Sequence, residues 1–156
     1  MKGRAEVERQ KQKLDATFGR VSKLPVEDAE LLSDFARYLC VLVAGFLEQS
    51  VIELTLEHVR NHSTASVQGY AENRLRQFTT ANVQRITDLM GTFDAAWRTD
   101  LDSYLVDERK AAVDSVVALR HNIAHGRYVG VTMATIKDYY QLVKHVINHI
   151  AELCVP

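Results

Sequence analysis

The sequence predicts an all-α protein, an antiparallel bundle of four main helices with short helices between them. Only two prolines and seven glycines interrupt the 156 residues, and no segment has the pattern of a strand. Long segments instead carry apolar residues at helical spacing. Apolar residues make up 47% of the chain and charged residues 25%, which is typical of one globular domain. Cys40 and Cys154 lie in separate apolar runs, so we interpret both as buried hydrophobic residues.

The first element is a mostly polar helix predicted over residues 4–22. Its single apolar stripe is formed by Val7, Leu14, Phe18 and Val21. We expect this helix to lie on the surface of the bundle, where it could also pack on a partner. Pro25 suits the first turn of the next helix, where no backbone N–H is needed. The chain is therefore divided into an N-terminal helical extension, residues 1–24, and one helical domain, residues 25–156.

The central helix is predicted from about Val26 to His62. Its apolar stripe consists of Leu32, Phe35, Leu39, Val43, Phe46 and Leu54. Between Tyr38 and Leu47 every face is apolar, so we expect this segment to be buried on all sides. The run is about half the length that a membrane-spanning helix needs. The charged N-terminus shows no signal-peptide pattern, so we expect a cytoplasmic protein with no membrane contact.

Short elements are predicted between the central helix and the last two helices. A short helix is expected around residues 68–78. Thr80 then caps a helix over residues 81–90, which Gly91 breaks. A further short element is expected around residues 101–105.

The third main helix is predicted over residues 108–125, with Asp107 as its N-cap. Its core stripe reads Val113, Val116, Val117, Arg120, Ile123 and Ala124. Gly126 follows at the position where a left-handed residue commonly closes a helix. We therefore expect the chain to leave the helix at this glycine.

The last helix has the clearest amphipathic pattern in the chain. Its apolar face consists of Ile136, Tyr140, Val143, Val146, Ile147, Ile150 and Leu153. Thr132 or Thr135 caps it, and Thr135 with Asp138 would make a capping box. We expect this helix to cover the core with one face.

The residues that point to chemistry end the third main helix, in the run from Arg120 to Gly126. Arg120 stands where the stripe requires an apolar residue, and a buried guanidinium needs a partner. His121 and His125 are four residues apart and share one face. Each residue alone has a structural explanation, as a paired arginine or a helix-capping histidine. Together, a fixed positive charge and two imidazoles suit RNA cleavage, which needs a base, an acid and a cation for the phosphorane charge.

Glu48 follows the apolar run of the central helix. A carboxylate at this position calls for a cation, and we hypothesise that Glu48 pairs with Arg120 and orients its guanidinium. The alternative is that Glu48 lies in water at the rim of the bundle.

The run "ALRHNIAHGR" resembles the signature of the HEPN family (higher eukaryotes and prokaryotes nucleotide-binding domains). That signature is an arginine, usually followed by a polar residue, with a histidine a few residues later. Arg120, His121 and His125 match it, and Glu48 is similar in placement to an acidic residue of the long early helix. The resemblance covers about residues 26–153. The continuation "IAHGR" and the later "DYYQLV" resemble the branch associated with restriction and phage-defence loci.

The resemblance implies a metal-independent endoribonuclease with Arg120 and His125 as catalytic residues. The product would carry a 2′,3′-cyclic phosphate, and no cofactor would be needed. It also implies a homodimer in which two motifs meet across a two-fold axis, since one helix end makes a poor cleft. Many members of the family are toxins that a partner antitoxin silences, so RNA and such a partner are both expected.

Four neighbours of the motif are candidates for supporting roles. His121 shares the face of His125, and Asn122 could help to hold a phosphate or could cap a turn. In some family members a tyrosine two residues after the histidine is modified by a nucleotidyl-transferring partner. Here Arg127 has that position and Tyr128 follows, which argues against such modification. Arg127 and Tyr128 are candidates for substrate binding, the tyrosine by stacking on a base or, alternatively, packing on its own bundle.

A non-catalytic dimeric module is the main alternative function. It would bind a nucleotide, RNA or a partner protein, with Arg120 holding the phosphate. The net charge of −1 gives no global positive field to attract RNA. A local positive patch could come from Arg60, Arg74, Arg76, Arg85 and Arg127.

A metal-binding bundle is the third function considered. All six histidines fall into pairs four residues apart, a spacing that can chelate a transition metal. The pairs are His58/His62, His121/His125 and His145/His149. No His-Glu-x-x-His motif occurs and few carboxylates lie near the pairs, so we expect no metal and interpret the first and last pairs as solvated side chains.

Overall fold

The computed structural model describes residues 2–156, and this part of the chain contains seven α-helices and no strand. The helices are α1 (Lys2–Ser22), α2 (Ala29–His62), α3 (Ala65–Leu75), α4 (Val83–Phe93), α5 (Ala95–Tyr104), α6 (Asp107–Ala124) and α7 (Met133–Cys154). Four of them, α1, α2, α6 and α7, are long. The predicted all-α class is confirmed.

Helix α2 is the central helix, and α1 and α7 pack along it in opposite directions. The backbone N–H of Arg4 donates to Glu57 Oε2 over 2.6 Å, which brings the start of α1 to the end of α2. Nδ1 of His58 lies 3.1 Å from the carbonyl oxygen of Cys154, so the end of α7 lies there too. Helix α1 therefore runs antiparallel to α2, and α7 runs parallel to it.

Helix α6 also packs on α2 and runs antiparallel to it. The thiol of Cys40 donates to the carbonyl oxygen of Val116 over 3.8 Å. Beyond the end of α6, the carbonyl oxygen of Val129 accepts a hydrogen bond from Arg37 Nη1 over 3.4 Å. The end of α6 therefore lies beside the first third of α2, and this end of the bundle carries the Arg120–Gly126 run.

The segment Tyr38–Leu47 is not buried on all sides, so that prediction is wrong in part. Leu39, Cys40, Val43 and Leu47 are fully buried, but Tyr38 is 55% exposed. Helices α1, α6, α7 and, near its end, α3 pack against α2, but none of them covers Tyr38. By length and composition alone α2 could cross a membrane, but 61% of its most apolar stretch is buried inside the protein.

Helix α1 docks on its own chain. The predicted stripe of Val7, Leu14, Phe18 and Val21 is buried and belongs to the main core. The ring of Phe18 stacks on that of Tyr140 at a centroid distance of 4.6 Å. Gly3 allows the close approach of α1 to α2, because a Cβ atom there would lie 2.4 Å from the carbonyl oxygen of Glu53.

Both cysteines are free and buried, as the sequence predicts. Burial raises the pKa of the Cys40 thiol to about 11 and that of the Cys154 thiol to about 12. Both side chains therefore behave as small hydrophobic residues in neutral solution.

The predicted starts of α2 and α4 need correction. Helix α2 begins at Ala29 rather than just after Pro25, because the carboxylate of Asp28 accepts the first backbone N–H groups. Helix α4 is capped by the side chain of Asn82 and not by Thr80, whose φ of 57° is left-handed. Gly91 lies inside α4, which ends at Phe93. Helices α3 and α5 begin earlier along the chain than predicted.

The caps of the last two helices also differ from the prediction. Asp107 is the first residue of α6, with φ 53°, and Val106 is its N-cap without a side-chain hydrogen bond. Thr132 caps α7, because its hydroxyl accepts the backbone N–H of Thr135 over 3.2 Å. The alternative of a capping box formed by Thr135 is therefore wrong.

Candidate active site

The chain leaves helix α6 where the sequence predicts. The N–H of His125 donates to the carbonyl oxygen of His121, and the N–H of Gly126 donates to that of Ile123, each over 3.1 Å. Gly126 has φ +70°, a left-handed conformation that costs glycine little and other residues more. His125 is therefore the C-cap residue of α6.

Arg120 is exposed, so its predicted place in the core is wrong. The core stripe of α6 includes Val116 and Val117, which are buried, and Ile123 still packs half-buried against the core. At 100° per residue Arg120 and Ala124 continue this stripe, yet both are exposed. The face of α6 that carries Arg120 and Ala124 is therefore uncovered, whereas Ile123 in the same part of the helix still contacts the core. This face is open to solvent at the position of the motif.

Three cationic or titratable side chains form an exposed group at this open end, and we name Arg120, His121 and His125 the motif cluster. The two imidazole rings lie 4.4 Å apart between centroids. Within residues 2–156 no side-chain hydrogen bond or ion pair joins any of the three to another protein group. An arginine without a protein carboxylate is free to bind an anion, and two imidazoles can accept and donate protons.

Asn122 and Arg127 are joined to each other. Nη1 of Arg127 donates to Oδ1 of Asn122 over 3.1 Å, and the Arg127 N–H donates to the Asn122 carbonyl oxygen over 3.0 Å. The Asn122 side chain therefore contacts Arg127 at the turn that follows α6. The pair anchors the start of the link between α6 and α7.

Glu48 does not pair with Arg120, and that hypothesis is wrong. Its Oε2 accepts the backbone N–H of Thr80 over 3.2 Å, and the side chain is half-buried. Taking Cys40 and Val116 as the contact point, Glu48 lies eight residues along α2, roughly 12 Å, away from the motif. Arg120 lies four residues the other way, roughly 6 Å. Antiparallel packing thus carries the two residues apart.

The remaining arginines do not gather around the motif cluster. Arg60 lies near the end of α2, and Arg74 and Arg76 belong to α3 and its cap, where Arg76 lies near Glu48 in the second half of α2 rather than at the end that carries Arg127. Arg85 lies on α4. The positive patch considered from the sequence is therefore not assembled on one surface.

Of the other four histidines, His58, His62 and His149 have structural partners, so the interpretation of both pairs as solvated side chains is wrong in part. Nδ1 of His62 lies 2.8 Å from the carbonyl oxygen of His58. His149 bonds to Asp100 and stacks on Tyr104, with the rings 3.8 Å apart. In the described part of the chain no group of three or more His, Cys, Asp or Glu residues is placed to hold a metal ion. The geometry gives the metal-binding alternative no support.

Arg37 is a residue of this region that the sequence did not identify. From α2, its Nη1 reaches the carbonyl oxygen of Val129, and its guanidinium carbon lies 5.6 Å from the centre of the Tyr128 ring. Its other partners are Ser33 and Asp34, on its own helix. Contacts across about 90 residues of sequence leave no periodic signal, so only the fold brings Arg37 to the motif.

Comparison with known families covers nearly the whole chain. A family model described as RiboL-PSP-HEPN matches residues 5–155. The match extends further toward the N-terminus than the resemblance of the motif and takes in most of α1. No curated protein and no solved structure matches the chain. The chain, an all-α bundle with an exposed Arg–His cluster at the end of α6, belongs to the HEPN family.

Proposed function

We propose that the protein is a metal-independent endoribonuclease that uses Arg120 and His125 to cleave RNA. The HEPN family suggests a function related to nucleotides or RNA. The observation that carries the proposal is the motif cluster, an arginine and two imidazoles that are exposed and unpaired within the described chain. Such a group matches the needs of phosphodiester cleavage without a metal ion.

In the proposed reaction an imidazole removes the proton of the 2′-hydroxyl, and the 2′ oxygen attacks the neighbouring phosphorus. The new O–P bond forms as the bond from phosphorus to the 5′ oxygen breaks, and a second imidazole protonates the leaving oxygen. We assign His125 to the proton transfers and Arg120 to the charge that develops on the phosphoryl oxygens. His121, whose ring lies 4.4 Å from that of His125, supports the second transfer.

The proposal includes a homodimer. One exposed helix end encloses no substrate, whereas two copies with their motif clusters facing each other would form a cleft. The uncovered stripe at Arg120 and Ala124 supports this arrangement, because a second copy can cover it. Exposed large apolar side chains also lie at this end of the bundle, namely Leu24, Leu31, Tyr38 and Tyr128. A defence or toxin setting, with an antitoxin as partner, is the context we predict.

Labelled mixed-sequence RNA incubated with the purified protein in EDTA tests the proposal. We expect cleavage by the wild type, a loss of roughly 100- to 1,000-fold for Arg120→Ala, and a loss of roughly 100- to 10,000-fold for His125→Ala. Arg85→Ala and His145→Ala are matched controls. Both residues are exposed on other helices, α4 and α7, and both variants should keep the wild-type rate.

Equal loss in the control variants, or cleavage that survives both motif substitutions, would remove the motif from the mechanism. The non-catalytic module predicts a different pattern, in which RNA or a nucleotide binds in an Arg120-dependent way and is never cleaved. The net charge of −1 favours that second candidate. Mass spectrometry of the preparation checks that the chain is present without an inhibiting partner.

A further inference from the structure

We infer that Tyr128, held by Arg37, is a stacking platform for one base of a single-stranded RNA, next to the phosphate bound by the motif cluster. The inference rests on the proposed function and names its substrate class. It starts from an aromatic residue that the fold leaves uncovered beside the motif cluster.

Tyr128 does not pack on its own bundle, the alternative that the sequence left open. Its residue surface is 85% exposed, the highest value of any large apolar or aromatic residue in the described chain. Tyr128 is three residues beyond His125, so its Cα lies within about 11 Å of that of His125. The ring can therefore reach a base whose phosphate lies at the motif cluster.

Arg37 contacts one face of the Tyr128 ring. The guanidinium carbon lies over the ring, 5.6 Å from its centre, a cation–π arrangement. Arg37 is itself fixed, because it donates to Ser33 Oγ over 2.9 Å and to the Val129 carbonyl oxygen over 3.4 Å. One face of the ring is thus occupied by the cation. The other face is free for a base.

The backbone on both sides of Tyr128 is anchored. Arg127 is bonded to Asn122 at the end of α6, and the Val129 carbonyl oxygen is bonded to Arg37 on α2. Tyr128 therefore lies between two hydrogen-bonded residues rather than at the tip of a loop without such contacts. Holding the ring in this way lowers the entropy lost when a base stacks on it.

This geometry selects single strands. A base in a duplex is already stacked between its neighbours, whereas a base in a loop or a single strand can stack on an aromatic side chain. Stacking does not distinguish one base from another by its edge, so the platform accepts RNA of different sequences. We assign Tyr128 as a residue that touches the substrate and Arg37 as a positioning residue that acts through Tyr128.

Binding measured in the His125→Ala protein separates this inference from cleavage. The probe is a fluorescent single-stranded RNA. Alanine substitutions at stacking residues cost about 1–3 kcal/mol per base, so Tyr128→Ala should raise Kd roughly 5- to 150-fold. Tyr128→Phe keeps the ring and should bind like the parent. Tyr70→Ala is the matched control, since Tyr70 on α3 is 68% exposed at the opposite end.

The role of Arg37 is tested by a double-variant cycle in the same protein. Arg37→Ala should weaken binding of the single strand, and should add nothing when Tyr128 is already alanine. Binding of a blunt RNA duplex should be unaffected by either substitution. A merely structural arginine would instead weaken both probes, and would do so equally in the Tyr128→Ala background.

The outcomes separate the two proposals. Unchanged binding and cleavage of single strands by Tyr128→Ala, or an equal loss in Tyr70→Ala, overturns the platform and leaves the ribonuclease standing. Tyr128-dependent binding of single strands by a wild type that never cleaves RNA overturns the ribonuclease and leaves the platform standing. A parent protein that binds no single-stranded RNA overturns the inference.

Discussion

Arg120 illustrates how one residue decides between a structural and a functional interpretation. A buried arginine would need a carboxylate, and removing it would leave that carboxylate unpaired at a large cost. The structure exposes Arg120 and gives it no ion pair within residues 2–156. The fold therefore does not depend on this guanidinium, and its charge is available to a ligand.

Stability measurements on the motif variants follow from this exposure. We expect Arg120→Ala and His125→Ala to change the free energy of unfolding by less than about 0.5 kcal/mol, because both side chains are exposed and unpaired. Val116→Ala, in the same helix but fully buried, should cost about 2 kcal/mol. Urea denaturation measures all three. A loss above about 2 kcal/mol for Arg120→Ala would mean that the arginine is structural.

The predictions about single residues are right where the local backbone decides the outcome. They are wrong where the outcome depends on whether another helix covers the residue. Gly126 was predictable because a left-handed closing residue is a local requirement. The burial of Arg120 was not, since periodicity fixes which way a side chain faces but not whether another helix lies over it. Arg37 was not predictable either, because its partners Tyr128 and Val129 are distant in sequence.

At the scale of elements, the docking of α1 depends on a small polar contact within an apolar interface. The hydroxyl of Tyr140, on α7, donates to Asp15 Oδ1 over 2.6 Å, and Lys144 lies 3.3 Å from the same oxygen. The stacked ring of Phe18 lies beside them. The sequence showed the apolar stripe of α1 but could not show that α7, over 100 residues later, supplies its partner.

Tyr140→Phe tests this contact between elements. Losing one hydrogen bond while the ring stays should lower the free energy of unfolding by about 1 kcal/mol. Tyr139→Phe is the control, because the adjacent Tyr139 packs on the core without a hydroxyl hydrogen bond in the described chain. Equal effects of the two substitutions, measured by thermal or urea unfolding, would contradict a specific tie between α1 and α7.

The same contact carries a pH dependence. Burial and, second, the hydrogen bond to Asp15 raise the pKa of Tyr140 above its ordinary value. A raised pKa in the folded state stabilises the fold fully below the unfolded value of about 10, and this contribution is lost as the pH rises beyond it. The wild type should therefore lose stability above about pH 10 more steeply than Tyr140→Phe.

For the whole molecule, the bundle leaves one end chemically distinct. The motif cluster lies at the end formed by the start of α2 and the end of α6, beside the exposed side chains of Tyr38 and Tyr128. The all-α class and the family could be predicted from composition, periodicity and one short motif. The predicted Glu48–Arg120 pairing is wrong because the relative direction of two packed helices cannot be predicted from the sequence of either helix alone.

The proposed dimer makes a prediction at this scale. Sedimentation should give a mass of about 35 kDa, twice the 17.6 kDa chain. Tyr38→Glu places a charge on the exposed face of α2 at the motif end, and should weaken the dimer and reduce cleavage together. Val67→Glu, at an apolar residue of similar exposure on α3, should do neither. A monomer that cleaves RNA at the wild-type rate would contradict the shared site.

The chemistry of the cut ends tests the central claim most directly. Mixed-sequence RNA is cleaved by the wild type in EDTA, and the termini of the products are identified by mass spectrometry. Attack by the 2′ oxygen predicts 2′,3′-cyclic phosphates and 5′-hydroxyls, with no such products from His125→Ala. Fragments with 3′-hydroxyls and 5′-phosphates, or cyclic phosphates that form equally with His125→Ala, would contradict the account.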